Sequence, residues 1–309
     1  MGSGTAVTEF LLLGFSEVQE LQLFHAALFL LLYLVALMGN LLIVAITALD
    51  QRLHTPMYFF LRNLSVLDLC LISAIVPKSI LNSLTNNRSI SFPGCILQVF
   101  FFGFAASSEM ALLTAMFHHR YVAICCPLSY DIIMHPKACG KMVAASWLSG
   151  ALNGLLHTAA SFSSPFCGSK VINQFFCDIP PLLRLSCSRG FHSELGVIAF
   201  NVLIGSSCFA SITLSYVRIF SAVLRMRSTS GRAKAFSTCL PHLAVVTLFV
   251  SPALLEYSTF ISKPPSILDL VGSLFYTVVP PTLNPLIYSL RNRDVKTAVR
   301  KLVCRSKTI

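Results

Sequence analysis

Charged residues are scarce in this chain. They make up 11% of the 309 positions, whereas hydrophobic residues make up 55% and the mean hydropathy is +0.75. A soluble domain carries about 25% charged residues. With so little charge, the chain cannot cover its apolar surface in water, and the composition predicts a protein that lies in a lipid bilayer.

Basic residues are absent from the first 22 positions, which contain three acids instead. Seven of the 23 Lys and Arg lie in the last 19 positions, and five more lie from Arg218 to Lys234. The net charge of +11 is therefore concentrated in loops and a tail that we expect on the cytoplasmic side, and it does not indicate nucleic-acid binding. The start of the chain also lacks the pattern of a secretory signal peptide, so we expect the first apolar span to be an uncleaved anchor.

The sequence lacks the patterns of two other functional classes. No nucleophile–base pair or closed metal cluster is visible, so no catalytic residue is predicted and an enzyme is not expected. A transporter or channel, the weaker alternative, needs a continuous polar path or built-in repeats, and neither is seen.

Seven apolar stretches are long enough to cross a bilayer, which takes about 20 residues. They are residues 24–49, 57–81, 95–121, 140–162, 195–223, 237–260 and 267–290. We therefore predict an all-α membrane protein, a seven-transmembrane helix bundle with a short amphipathic helix after the seventh span. Its predicted parts are an extracellular N-terminal tail (1–22), the seven-span domain (23–290) and a cytoplasmic basic tail with a membrane-surface helix (291–309).

Four polar residues are predicted to lie at similar depth in the membrane. Asp68 and Glu109 each fall about 16 Å from the predicted inner face, with Asn40 and Asn284 on the same layer, at a rise of about 1.5 Å per residue. Two carboxylates this close repel each other unless one is protonated or a cation lies between them. A sodium ion held by Asp68 and Glu109 and a hydrogen-bonded network with one protonated acid both fit, and a proton or ion pathway is the weaker alternative.

Six motifs occur in order along the chain, one near each expected helix end. They are "GNLLIV" (39–44), "PMYFFLRNLSVLDLC" (56–70), "RYVAICCPLSY" (120–130), "SY" (215–216), "KAFSTCLPHL" (234–243) and "PPTLNPLIYSLRN" (280–292). Together they resemble an odorant (olfactory) receptor of the rhodopsin-like G-protein-coupled receptor superfamily, and the resemblance covers essentially the whole chain.

The resemblance implies a receptor that binds a small, mostly apolar odorant from outside the cell. It would then activate a heterotrimeric stimulatory olfactory G protein and raise cyclic AMP. The implied location is the plasma membrane, with membrane lipid around the spans and an extracellular N-terminus, in the cilia of olfactory sensory neurons.

The resemblance also assigns residues to G-protein coupling and activation. They are His119, Arg120, Tyr121, Tyr216, Lys234, Asn284, Pro285 and Tyr288. Relatives carry an acid immediately before the arginine, but this chain has His119, which cannot form a charge-assisted pair with Arg120. We therefore expect a weakened resting state, seen as raised basal signalling or as poor surface expression. A receptor-like protein with impaired or constitutive signalling is the alternative function.

The ligand pocket implied by the resemblance draws on four helices. The predicted lining residues are Val99, Phe102, Gly103, Ala106, Phe200, Ile204, Ala253, Leu254, Tyr257 and Thr277. This lining is apolar, with Tyr257 and Thr277 as hydrogen-bonding groups, and it suits a small volatile ligand.

Four cysteines fall on the predicted outer side, where disulfides form. They allow three pairings, and zinc binding is a weak competitor; the resemblance implies Cys95 with Cys177 and Cys167 with Cys187. The sequence Asn87-Arg88-Ser89 is the predicted glycosylation site, in the first outer loop.

Overall fold

The structure is a computed structural model that describes residues 8–14, 18–85, 87–163, 165–166, 170–186, 188–225, 228–262, 267–291, 295–298 and 300. Some side chains inside the helices, including those of residues 252–262, lie outside this description.

Seven long helices form within the described part of the chain. The first six span Gln19–Leu49, Pro56–Thr85, Phe92–Cys125, Pro136–Phe162, Ser188–Arg225 and Thr229–Ser262. The seventh consists of Ile267–Thr277 and Val279–Arg291, separated at Val278. The predicted seven-helix bundle is confirmed. Residues 295–298 of the predicted amphipathic helix are helical, with Val295 and Ala298 buried.

Caps and prolines set where the helices begin. The third helix follows Ser91, whose hydroxyl accepts a hydrogen bond from the Gly94 N–H, and the fourth follows His135, whose ring accepts one from the Ala138 N–H. Proline occupies the first turn of both helices, where a missing N–H costs nothing. Short helices at Gln51–Leu53, Pro127–Ser129, Tyr130–Ile133 and Ile179–Leu185 lie in the connections.

The outer surface of the bundle is apolar. Five described helical segments are long and apolar enough to cross a membrane: Gln19–Leu49, Pro56–Thr85, Phe92–Cys125, Ser193–Arg225 and Leu270–Tyr288. Large side chains such as Met38, Leu203 and Leu214 are more than 60% exposed along them. Such a surface is stable against lipid tails, because they offer apolar contact without competing for hydrogen bonds.

A three-stranded sheet caps one end of the bundle, which we call the sheet end. Strand β1 (Glu9–Leu12) pairs antiparallel with β2 (Ser89–Ser91) and parallel with β3 (Val171–Ile172). These strands were not predicted from the sequence, and residues 9–12 fall in the predicted N-terminal tail (1–22). The pairing buries Phe10 in a cluster of aromatic rings with Phe92 and Phe166, so tertiary packing explains it.

The opposite end, which we call the arginine end, contains Arg120. The largest hydrophobic cluster lies there and joins the first six helices to Tyr288 of the seventh. The third helix makes its most extensive contact with the fourth. Gly150 and Gly154 make this contact close, since a Cβ on Gly154 would lie 2.8 Å from the Phe100 carbonyl oxygen.

Candidate functional site

A polar layer crosses the middle of the bundle. The Asn284 Nδ2 donates hydrogen bonds to both carboxylate oxygens of Asp68, at 3.1 and 3.0 Å. Asn40 donates to the carbonyl oxygens of Ala36, at 3.0 Å, and Pro281, at 2.9 Å. The layer therefore ties the first and second helices to the seventh. Asn40 does so through its hydrogen bonds to these backbone carbonyl groups.

Glu109 completes this layer from the third helix. It is fully buried and close enough to Asp68 for the two carboxyl groups to interact directly. No hydrogen-bond donor from the described residues reaches either Glu109 oxygen. The two open Glu109 oxygens beside the Asp68 carboxyl group fit a shared proton, and they equally fit a hard cation that prefers oxygen ligands.

At the arginine end, His119 contacts neighbours on two sides. Its Nε2 forms a hydrogen bond of 2.8 Å with the Tyr130 hydroxyl, and its ring packs edge-on against Tyr130 and Phe60. His119 is 8% exposed, so this contact is largely shielded from solvent. Tyr130 lies within the motif "RYVAICCPLSY" but was not predicted as a site residue.

Arg120 lies among the other residues predicted for activation. Arg120 is buried, and its positive charge interacts electrostatically with the side chains of Tyr216, His242 and Tyr288. Residues of the fifth, sixth and seventh helices therefore lie within reach of the Arg120 charge.

His242 links three helices near Arg120. Its Nε2 lies 3.0 Å from the Leu113 carbonyl oxygen, and its Nδ1 lies 2.8 Å from the Tyr216 hydroxyl. Because a carbonyl only accepts, Nε2 carries the proton and Nδ1 accepts from Tyr216. This fully satisfied, neutral histidine joins the third, fifth and sixth helices. His242 belongs to the motif "KAFSTCLPHL", which could have indicated its importance, but it was not predicted as a site residue.

Three other residues were predicted for G-protein coupling and activation, namely Tyr121, Pro285 and Lys234, and they do not share one set of contacts. Tyr121 is half-buried in the largest hydrophobic cluster. Pro285 lies inside the seventh helix and approaches the first so closely that a Cβ on Gly39 would lie 2.9 Å from the Pro285 Cβ. The Lys234 side chain lies outside the described residues.

A cleft of about 270 Å³ opens between the third, fifth and sixth helices and His157 of the fourth. Its lining is mostly apolar, and the side chains are Met110, His157, Ile198, Asn201, Val202, Ser206, Phe209, Phe249 and Val250, with Gly205 between them. An apolar cleft with a few polar groups is typical of a small-molecule site.

The predicted pocket residues of the third and seventh helices lie in separate surroundings. Val99 is buried beside Cys177, and Phe102 contacts the rings of Phe176 and Tyr276. Gly103 faces Gly154 of the fourth helix, and Ala106 is half-buried. Thr277 is buried and donates a hydrogen bond to the Ser273 carbonyl oxygen.

The described residues of the predicted pocket are not among the residues that line the cleft. Phe200 and Ile204 are 55% and 46% exposed on the fifth helix, whereas Asn201 and Gly205, one position further along, line the cleft. The physical reason is the helical rotation of about 100° per residue, which an apolar sequence does not reveal. The side chains of Ala253, Leu254 and Tyr257 lie outside the described residues.

A polar triad adjoins the cleft, in which His157 and Glu194 are buried and Asn201 is half-buried. Asn201 Nδ2 donates to His157 Nε2 at 3.2 Å, so His157 carries its proton on Nδ1 and donates it to the Glu194 carboxylate. Glu194 is completely buried. None of the three was predicted as a site residue, although His157 lies within the fourth apolar span, where an ionisable residue indicates a functional site.

The connection from the fourth to the fifth helix closes the sheet end. Cys95 and Cys177 form a disulfide, as predicted, whereas Cys167 and Cys187 lie outside the described residues. The Cys177 N–H donates to Gln98 Oε1 at 2.9 Å, and Tyr276 donates to Asp178. Burial raises the pKa of Asp178 to about 6, although hydrogen bonds from Tyr276 and the Ile179 N–H act in the opposite direction.

The predicted glycosylation site lies at the sheet end as well. Asn87 is exposed after the second helix, and its Oδ1 accepts a hydrogen bond from the Ser89 N–H at 3.0 Å. Glycosylation at this position stays a prediction.

A bundle of seven helices, with a buried arginine at one end and an apolar cleft between its helices, agrees with the predicted class of G-protein-coupled receptor. Comparison with known proteins gives the family. The olfactory receptor family model matches residues 29–306, and the chain belongs to the olfactory receptor family.

Three human relatives illustrate how far the similarity extends. Olfactory receptor 14J1 is 55% identical over 98% of this chain and 94% of its own length. Olfactory receptor 14L1 is 54% identical over 96% and 91%, and olfactory receptor 14A16 is 53% identical over 98% of both chains. The protein is therefore a multi-pass membrane receptor for odorants that acts with a G protein, and it is not an enzyme.

Proposed function

We propose that this receptor binds small, mostly apolar odorants in the cleft between its third, fifth and sixth helices. The observation that carries the proposal is the cleft of about 270 Å³ lined by Met110, Phe209, Phe249 and Val250. His157 and Asn201 are polar groups in its lining, which favour odorants that combine an apolar body with one hydrogen-bonding group.

The sixth helix connects this cleft to the arginine end. Val250 lies eight residues from His242 on that helix, or about 12 Å along its axis. An odorant that fits one arrangement of the sixth helix better than another shifts the equilibrium between them. The shift breaks the His242 contacts with Tyr216 and Leu113 and exposes Arg120 to a stimulatory olfactory G protein, which raises cyclic AMP.

The same proposal includes location and orientation. The receptor lies in the plasma membrane of the cilia of olfactory sensory neurons, with the sheet end outside. The Cys95–Cys177 disulfide at the sheet end supports this orientation, since disulfides form in oxidising compartments. The basic residues clustered from Arg218 to Lys234 and in the last 19 positions support a cytoplasmic arginine end.

Filling the cleft tests the ligand site. We expect Gly205→Leu to raise the odorant concentration for half-maximal cyclic AMP at least tenfold, because the new side chain occupies the cleft. Gly196→Leu is the matched control, since both glycines lie on the fifth helix with open space around them and only Gly205 lines the cleft. Surface level is measured for both variants. If both variants respond to the odorant equally at equal surface level, the odorant does not bind in this cleft.

For the polar layer we propose that a sodium ion binds between Asp68 and Glu109. The oxygen-only donors and the two open Glu109 oxygens support it. We expect sodium chloride to raise the thermal midpoint of the purified receptor by a few degrees over N-methylglucamine chloride of equal ionic strength, and Glu109→Gln to abolish the difference. A midpoint that depends on pH but not on sodium would instead indicate a shared proton.

A further inference from the structure

A second cleft, of about 370 Å³, lies at the arginine end between the first, second and fourth helices. Leu53, Pro56, Phe59 and Pro136 form apolar walls, and His54 and Thr55 lie at the exposed edge. It lies on a different side of the bundle from the odorant cleft, and the proposed signalling mechanism does not use it.

Arg62 gives this cleft a positive charge. It lies six residues into the second helix, about 9 Å along the axis from Pro56, and is half-buried. Its guanidinium lies 5.5 Å from the centre of the Phe59 ring. Arg62 forms no ion pair with any residue that the structure describes. An arginine at this depth is costly unless an anion or water meets its charge.

The rest of the cleft is also complementary to an anion. No carboxylate is among the side chains that line it. The second and fourth helices both begin there, at Pro56 and Pro136, and the N-terminal end of a helix carries partial positive charge. The neighbouring Arg52 differs, because Asp50 already accepts hydrogen bonds from its Nε at 3.1 Å and its Nη2 at 2.7 Å.

We propose that this cleft binds an anionic phospholipid of the inner leaflet, with the phosphate on Arg62 and the glycerol and upper acyl carbons against Phe59 and Leu53. The guanidinium offers paired donors that match two phosphate oxygens. The apolar walls distinguish a lipid from a free anion. An anionic headgroup is preferred over a choline headgroup, since choline adds an uncompensated cation beside Arg62. The inner-leaflet assignment depends on the proposed orientation, whereas the binding site itself does not.

Lipid retention by the purified receptor tests the proposal. The full chain in detergent is titrated with phosphatidylserine, phosphatidylcholine or inorganic phosphate, and bound lipid is counted by native mass spectrometry alongside the thermal midpoint. We expect phosphatidylserine to bind, and Arg62→Gln to weaken it about five- to tenfold. Arg62→Lys should retain more binding than Arg62→Gln, since it preserves the charge.

Arg52→Gln is the matched control. It removes the same charge at the same end of the bundle, but from an arginine that is 58% exposed and already paired. Phosphatidylserine binding should therefore stay within about twofold of the unmodified receptor. Equal losses in both variants, or no loss in Arg62→Gln at an unchanged midpoint without lipid, would overturn the proposal. Equal binding of phosphatidylcholine would overturn the anionic preference, and equal protection by inorganic phosphate would overturn the lipid assignment.

Discussion

Replacing His119 with aspartate is expected to lower the ligand-free cyclic AMP signal of this receptor about five- to tenfold. An aspartate forms a charge-assisted hydrogen bond with Arg120 or Tyr130, worth about 1–1.5 kcal/mol more than the ordinary bond that a neutral histidine makes. In this structure the Nε2 of His119 is hydrogen-bonded to the Tyr130 hydroxyl, which is a contact between neutral groups, and we expect this contact to hold the resting state. The added stabilisation acts on that state and shifts the equilibrium toward it.

The measurement compares cyclic AMP without ligand at matched surface level. His118→Asp is the control, since it places the same charge one residue earlier on an exposed position. Tyr130→Phe should shift the signal the opposite way, by removing the hydrogen bond of His119. The idea fails if His119→Asp changes neither the basal signal nor the surface level. A different outcome is that the unmodified receptor gives no cyclic AMP signal while His119→Asp responds to odorant. This result would support the alternative function, in which the histidine impairs signalling.

The second large effect is expected from Gly150→Ala in the contact between the third and fourth helices. An added Cβ would lie 1.9 Å from the Ser108 Oγ and 2.6 Å from the Phe104 carbonyl oxygen. The serine can rotate, but the Phe104 oxygen belongs to a helix backbone and cannot move without separating the helices. We expect a loss of stability of about 3 kcal/mol, near the upper end for overpacked sites, and loss of most surface receptor.

Gly140→Ala provides the comparison on the same helix. Nothing lies within 4 Å of its added Cβ, so alanine should leave surface level and thermal midpoint unchanged or slightly raised. Combining Gly150→Ala with Ser108→Ala should restore only part of the loss, because the Phe104 carbonyl remains in place. Normal surface level and thermal midpoint for Gly150→Ala alone would show that the third and fourth helices can separate at Gly150 without loss of stability.

Much of the architecture follows from the sequence alone. Seven apolar stretches among few charged residues predicted the helices, because a membrane span must satisfy its own backbone hydrogen bonds. The motifs identified the family, and with it the Cys95–Cys177 pair. Depth along each helix predicted that Asp68, Glu109 and Asn284 lie together, since the rise per residue is fixed.

Rotation about each helix axis was decided by the tertiary structure. In an apolar helix, lipid-facing and protein-facing sides have similar composition, so the sequence could not show that Asn201 and Gly205 face the cleft while Phe200 and Ile204 face outward. Contacts between distant segments were equally hidden. The partner of His119, the pair of His157 and Glu194, and the pairing of β1 with β2 and β3 depend on how the helices pack, and no local pattern encodes that packing.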